Sequence, residues 1–163
     1  MISWQKLKSI LTYDRNTGIF RWNLALSNRI KAGAMAGYLN DLGYIRIMIN
    51  GKNYAAHRLA WIYEYGYSPD NFIDHINGDK KDNRIVNLRE ATPYQNMHNL
   101  KTPKTNKSGI KGVYWHKRDN KWAVQIQING KKISLGYFRC INDAKKTIMD
   151  AREKYHANFA RHD

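Results

Sequence analysis

An aspartate, a histidine and several asparagines stand within one short stretch of the chain, residues 73–99. Asp74 and His75 close a short apolar run, Asn87 begins a second one, and Asn96 follows a Thr-Pro pair that is typical of a helix start. The stretch therefore predicts the order strand, loop, strand, helix. Such an order would bring an acid, an imidazole and carboxamides together.

These residue types suit the hydrolysis of a phosphodiester. Water is a weak nucleophile at neutral pH, and an imidazole with an ordinary pKa of about 6.5 can take its proton, which makes His75 the candidate general base. The phosphate and the leaving 3′ oxygen gain negative charge, which a hard cation can neutralise through oxygen ligands. Asp74 and Asn96 can supply two such oxygens, and Asn87 can hold the loop or the ring. Each residue alone also fits a turn or an exposed position, so the hypothesis depends on their combination.

The pair Asp74-His75, followed by Asn87 and Asn96, resembles the ββα-metal motif of HNH endonucleases of the phage and intron homing type. The resemblance implies that His75 is the general base and that Asn87 is structural. It also implies one divalent ion per active site, Mg²⁺ or Mn²⁺, held by Asp74 and by the last motif position.

That last position is Asn96, where other members of the family carry His, and His98 and Asn99 remain alternative ligands. Two further segments resemble the family, AHRLAW within residues 55–61 and NLREAT at 87–92. The products implied by the resemblance carry a 5′ phosphate and a 3′ hydroxyl.

The C-terminal third of the chain shows a different pattern. Two turn signals, Asp119-Asn120 and Asn129-Gly130, separate three segments that alternate apolar and polar residues, and a segment with helical spacing follows from Asn142 to about Asn158. The helix is expected to cover the apolar face of a three-stranded sheet.

The motifs KGVYWH, KWAVQI and LGYF in this part resemble the ethylene-response-factor (APETALA-type) DNA-binding domain, whose sheet lies in the major groove. By position, the resemblance implies a set of DNA-binding residues. They are Lys111, Tyr114, His116, Arg118, Gln125, Gln127, Lys132 and Ser134. Several arginines and a tryptophan of that family are replaced here, so its base preference does not transfer.

The charge balance agrees with a polyanionic partner. The chain has 163 residues, with 28 Lys+Arg against 13 Asp+Glu and a net charge of +15. Residues 101–163 carry 15 basic and 5 acidic side chains, so most of the excess lies there. Double-stranded DNA is the predicted partner, and an anionic membrane surface ranks lower because no long basic amphipathic helix dominates the sequence.

We predict an α+β chain in three parts. Residues 1–100 form a ββα-metal nuclease domain, 101–108 a basic linker, and 109–163 a three-stranded antiparallel sheet packed on one helix. At the N-terminus, Ser3 is expected to cap a helix that runs through Tyr13.

Compartment and assembly follow from weaker signals. A single cysteine, Cys140, excludes an internal disulfide and a CxxC-type zinc site. The sequence contains neither a long apolar run nor a signal-peptide core, so cytosolic folding is the default, in a bacterial host if a phage encodes the chain.

The sequence does not distinguish a monomer from a homodimer. Besides a homing endonuclease, a low-specificity phage nickase for packaging or repair and an inactive DNA-binding regulator remain alternatives.

Overall fold

The computed structural model describes residues 2–25, 27, 30–99, 102 and 105–159. By its internal contacts the chain divides into two units, residues 1–91 and 92–163. Within the predicted linker at 101–108, residues 101, 103 and 104 lie outside the described residues. The predicted limits of the domains remain a prediction.

The first unit begins with a short helix and a hairpin. The elements are α1 Trp4–Ile10, β1 Leu11–Asp14 and β2 Ile19–Trp22. Ser3 caps α1 as predicted, but a helix reaching Tyr13 is wrong, because residues 11–14 form a strand. This strand pairs antiparallel with β2 and places Tyr13 opposite Phe20, so long-range pairing outweighs the local helical spacing.

A second sheet and a helix come next. The elements are β3 Tyr38–Leu39, β4 Ile45–Ile49, β5 Lys52–Ala55 and α2 Ala56–Tyr65. Asn50 and Gly51 both have positive φ, as a two-residue hairpin turn of this type requires. Gly66 ends α2 in the left-handed conformation.

The first unit ends with the two strands of the predicted motif. These are β6 Phe72–His75 and β7 Leu88–Ala91, joined by a loop and a 3-10 turn at Ile85–Asn87. β6 and β7 pair antiparallel over their whole length. The core beneath them combines α1, α2 and the strands. It includes Leu7, Leu11, Phe20, Ile47, Leu59, Ile73 and Leu88.

The second unit begins with a short helix, α3, at Pro93–His98. Thr92 is its N-cap and forms a capping box with Gln95, and Pro93 occupies the first turn, which confirms the predicted helix start. The predicted order strand, loop, strand, helix for residues 73–99 is therefore the order observed.

The rest of the second unit is a three-stranded antiparallel sheet with one long helix. The elements are β8 Val113–His116, β9 Lys121–Ile128, β10 Lys131–Phe138 and α4 Ile141–His156. β9 lies between the other two strands. The N-cap of α4 is Cys140, and the predicted cap Asn142 lies inside the helix.

One face of this sheet packs against α4, as the alternation in the sequence predicts. Val124 and Ile126 of β9 share a buried cluster with Ala144 and Ile148 of the helix. The α+β fold class is thus confirmed. None of the helices in the described part of the chain has the length and hydropathy that a membrane span requires.

Candidate functional site

Strand β6 carries the predicted acid and base side by side. Asp74 and His75 are both buried, and in the pairing with β7 they lie opposite Arg89 and Leu88. Neighbouring residues of a strand point to opposite sides, and in the described part of the chain the carboxylate and the imidazole form hydrogen bonds with different residues.

The partner of Asp74 is a guanidinium. Arg89 donates to Oδ2 of Asp74 from Nε at 2.9 Å and from a terminal nitrogen at 2.8 Å. Arg84, in the loop before β7, forms an ion pair of its own with Asp82.

The partner of His75 is a carboxamide from the loop between the strands. Nε2 of His75 lies 3.3 Å from Oδ1 of Asn83, which is only 2% exposed. The amide nitrogen of Asn83 donates to the carbonyl of Lys81, so the oxygen faces the ring and accepts from Nε2. In a neutral imidazole that donates from Nε2, the lone pair lies on Nδ1.

Burial lowers the pKa of His75 below its ordinary value, although the hydrogen bond to Asn83 works in the opposite direction. The ring is therefore neutral at pH 7. A neutral imidazole with its lone pair on Nδ1 is the form that can accept a proton from water.

A second histidine packs against the first. The ring of His57, on α2, lies edge-on to His75 with centroids 5.0 Å apart, and Tyr44 contacts both rings. Burial lowers the pKa of His57 to about 3, so this ring is neutral too. None of the described residues hydrogen-bonds to its Nδ1. His57 thus contacts the candidate base through its ring.

Asn87 holds the loop rather than the ring. Its carboxamide accepts from the amide N–H of Asn77 and donates to the Asn77 side chain and to the carbonyl of Asp82, all within 3.0 Å. The start and the middle of the loop are thereby attached to the residue that precedes β7. Of the two roles that the sequence suggested for Asn87, this is loop positioning.

Asn96 lies on α3 in the second unit, where its side chain is half-buried. Asn99, the alternative ligand, is buried just beyond the helix, and the side chain of His98 lies outside the described residues. No group of three or more His, Cys, Asp or Glu that suits a metal occurs among the residues described. The donors predicted here, one carboxylate and one carboxamide, are hard oxygens that fit a cation retaining several waters.

The outer face of the β8-β9-β10 sheet carries six of the eight predicted DNA-binding residues. Gln125 and Gln127 alternate with the buried residues of β9, and their cross-strand neighbours are Ser134 and Lys132. On the other side of β9, Tyr114 of β8 pairs with Ala123 and His116 pairs with Lys121, and these residues lie on the same face.

The two other predicted residues are placed differently. Lys111 precedes β8, and its ammonium donates to the carbonyl of Met97 at 3.0 Å. Arg118 lies in the turn after β8, almost fully exposed, and contacts Asp119. A β-bulge between Ser134 and Gly136 moves Tyr137 onto the outer face, opposite Ala123, where strict alternation would not have placed it.

Three further residues of the site are absent from the set of site residues predicted from the sequence. They are Asn83, His57 and Arg89. The short-range pattern carries no signal for their contacts with His75 and Asp74. Only the paired strands and the fold of the loop bring them together.

Sequence models of two protein families match this chain. The model described as HNH endonuclease matches residues 54–98, and the model described as AP2 domain matches residues 108–158. The first match contains β6, β7 and α3, and the second contains the three-stranded sheet and α4.

Individual proteins are also similar to this chain. Protein 3.8 of Escherichia phage T7 is 35% identical over 106 residues, which are 64% of this chain and 87% of that protein. The uncharacterized HNH endonuclease L560 of Acanthamoeba polyphaga mimivirus is 30% identical over 113 residues, 68% of this chain and 49% of the relative. A solved structure of the HNH homing endonuclease I-HmuI, from work on its DNA binding and cleavage, is 23% identical, with a TM-score of 0.43, and covers 77% of this chain and 71% of that one.

Proposed function

This chain belongs to the HNH endonuclease family and carries an AP2 domain, and from that membership we propose a divalent-metal-dependent endonuclease that cuts double-stranded DNA at selected sites. The chain is a DNA-binding nuclease by family. Metal dependence, the mode of cleavage, and homing-type site selection are the proposed part.

The observation that carries the proposal is the environment of the pair on β6. A buried carboxylate and a buried imidazole stand next to each other, and each is held by its own partner, Arg89 for Asp74 and Asn83 for His75. Burial of ionisable groups costs desolvation energy, and buried ionisable groups cluster at functional sites. A general base beside a metal-binding carboxylate accounts for both buried groups.

In the proposed reaction, Nδ1 of His75 takes a proton from the attacking water. The water oxygen forms the new bond to phosphorus, the bond from phosphorus to the 3′ oxygen breaks, and the departing 3′ oxygen takes a proton from solvent water. The products are a 5′ phosphate and a 3′ hydroxyl. Asn83 keeps Nε2 protonated and thereby keeps the lone pair on Nδ1. The low pKa of His75 keeps the base unprotonated at pH 7.

Asp74 and Asn96 would hold one divalent ion, Mg²⁺ or Mn²⁺. Such an ion supplies charge neutralisation at the phosphate and at the leaving oxygen. The carboxylate of Asp74 is kept in one orientation by Arg89. Asn87 shapes the loop that carries Asn83 and does not need to touch substrate.

We propose that the AP2 domain sets the position of the protein along the DNA. Its outer face presents two glutamines, which can read adenine through paired hydrogen bonds, beside a lysine and a serine. Lysine contacts to phosphate position a protein on the duplex, while the glutamine contacts to base edges select sequence. We propose Gln125 and Gln127 for base contacts and Lys132 for a phosphate.

Plasmid cleavage tests this proposal. Supercoiled DNA is incubated with the protein and Mg²⁺ or Mn²⁺, beside EDTA, and the products are separated on a gel. We expect nicked or linear DNA with metal, none with EDTA, and none from His75→Ala or Asp74→Asn although both variants still bind labelled duplex. Asp70→Asn, an exposed aspartate in the same unit, is the control for the charge change and should cut like wild type.

The cut positions decide between the two nuclease classes. A defined position in DNA of the source genome supports site selection, and scattered nicks support a low-specificity nickase. Tight binding without any cleavage in either metal would contradict the proposed reaction.

A further inference from the structure

The N-terminal hairpin β1–β2 lies outside the part of the chain that matches the HNH endonuclease model, residues 54–98. In the structure the hairpin reaches the loop that holds the general base. The hydroxyl of Tyr13, a buried side chain, donates to the carbonyl of Asn83 at 2.7 Å, across 70 positions of sequence.

Asn83 joins two hydrogen bonds that act on different parts of one residue. Its backbone carbonyl accepts from Tyr13, and its side-chain oxygen accepts from Nε2 of His75. The side-chain nitrogen is held by the carbonyl of Lys81 at 3.2 Å. A change in the backbone at residue 83 therefore moves the group that orients the imidazole.

A glycine provides the second contact between the hairpin and the loop. Gly18 has a φ of +73° and lies against the backbone of residues 83 and 84. A Cβ at this position would lie 2.5 Å from the amide nitrogen of Arg84 and 2.6 Å from the carbonyl carbon of Asn83. Backbone thus packs on backbone here, and the approach leaves no room for any side chain.

The ring of Tyr13 is packed so that its hydroxyl has little freedom. Phe20 lies 4.7 Å and Tyr63 5.7 Å from it between centroids. Burial raises the pKa of the Tyr13 phenol far above its ordinary value, so the hydroxyl keeps its proton and remains a donor.

From these contacts we infer that Tyr13 is a positioning residue of the nuclease: its hydroxyl fixes the backbone of Asn83, and through the Asn83 side chain it fixes the orientation and tautomer of His75. The inference rests on the proposed role of His75 as general base. It assigns part of the active-site apparatus to the N-terminal hairpin. Tyr13 touches neither substrate nor metal in this scheme.

Tyr13→Phe removes the hydroxyl and keeps the ring, and a double-mutant cycle with Asn83→Ala tests the route of the effect. We expect kcat for DNA cleavage to fall about tenfold in Tyr13→Phe with KM unchanged, because orientation is lost while DNA binding is not. In the Asn83→Ala background the same change should cost nothing more, since the link to His75 is already absent. Tyr63→Phe, in the same aromatic cluster, should retain the wild-type kcat.

A spectroscopic measurement tests this inference independently of the proposed function. In full-length protein labelled with ¹⁵N at histidine, the two ring-nitrogen shifts of His75, assigned by comparison with His75→Ala, report its tautomer at one fixed pH. We expect the Nε2–H form in wild type and a mixture in Tyr13→Phe. This result stands or fails even if wild type cuts no DNA.

Three results would overturn the inference. One is an unchanged tautomer in Tyr13→Phe, and another is a loss of kcat that adds fully to that of Asn83→Ala. The third is a loss confined to KM. Thermal unfolding of each variant accompanies the kinetics, so that a folding defect is recognised as such.

Discussion

Arg89 and Asp74 form an ion pair across β6 and β7, with two donors of one guanidinium on the same carboxylate oxygen. The side chains are only 16% and 7% exposed. Removal of one partner from a buried pair leaves the other charge without compensation, which is more costly than the pair itself is stabilising. Arg89 therefore holds a proposed metal ligand and also protects the stability of the first unit.

We accordingly predict that Arg89→Met lowers the free energy of unfolding by about 3 kcal/mol, measured by urea denaturation at pH 7. Arg84→Met is the matched control, because the Arg84 side chain is 47% exposed in its pair with Asp82 and water screens that pair. The loss of unfolding free energy in Arg84→Met should be much smaller. Equal losses in the two variants would show that burial of the Asp74 pair has no energetic consequence.

The pH dependence of cleavage follows from the lowered pKa of His75. The unprotonated ring is the active form, so the rate should rise with pH through a midpoint below the ordinary histidine value of about 6.5 and level off above it. Cleavage of a short duplex under single-turnover conditions from pH 5 to 8 measures this midpoint, with DNA binding followed over the same range. A midpoint clearly above the ordinary value contradicts the low pKa.

Stability should depend on pH through His57. Its pKa is about 3 when folded and about 6.5 when unfolded, so below pH 6.5 the unfolded chain binds the proton and the folded chain does not. The stability contributed by the neutral ring is present above pH 6.5 and is lost as pH falls toward 3, by up to about 1.4 kcal/mol per pH unit. His75 adds a loss of the same sign.

Urea denaturation at pH 7, 5.5 and 4.5 measures that slope. His57→Phe keeps an aromatic ring against His75 and removes the titrating nitrogens, so its stability should fall less steeply over the same interval. If both proteins lose stability at the same rate per pH unit, His57 is not the group responsible.

Gly18 offers a test of the contact between the hairpin and the loop. Gly18→Ala adds a methyl group that would meet backbone atoms at 2.5 Å, so we expect a loss of about 2–3 kcal/mol in unfolding free energy and a slower cleavage rate. Gly51→Ala is the control, because Gly51 has a similar φ of +75° and nothing within 4 Å of the added Cβ. The difference between the variants isolates the steric part from the cost of the positive φ.

On the AP2 sheet, Lys132→Ala should weaken DNA binding about equally for all sequences and reduce the slope of log K against log salt by about 1, since one phosphate contact is removed. Lys145→Ala is the control, because Lys145 is an equally exposed lysine on α4, the element that covers the opposite face. Fluorescence anisotropy at several salt concentrations measures both slopes. The same slope change in the two variants would refute a specific role of the outer face.

Much of what the sequence predicted correctly depends on short-range backbone and side-chain preferences. The turns at Asn50-Gly51 and Asn129-Gly130 adopt the positive φ values that these residue pairs tolerate, and Thr92 and Pro93 start a helix because a cap and a fixed φ act within one turn. The alternation in β9 placed Gln125 on the outer face, because side chains on a strand alternate whatever the partner strand is.

Other features depended on pairing. Residues 11–14 have helical spacing but form β1, because β2 offers a complete register. The bulge in β10 brought Tyr137 to the outer face, and only the partner strand defines where an extra residue is accommodated.

By itself, then, the sequence determined the types of the reacting groups and the order of the elements that carry them, because side-chain chemistry and short-range backbone preferences depend on near neighbours. The tertiary structure decided which residue contacts and orients each of these groups. Asn83 on His75, Arg89 on Asp74 and Tyr13 on Asn83 are contacts between residues 8, 15 and 70 positions apart. Burial also decided the low pKa of His75, since desolvation depends on the atoms around a ring and not on its neighbours in sequence.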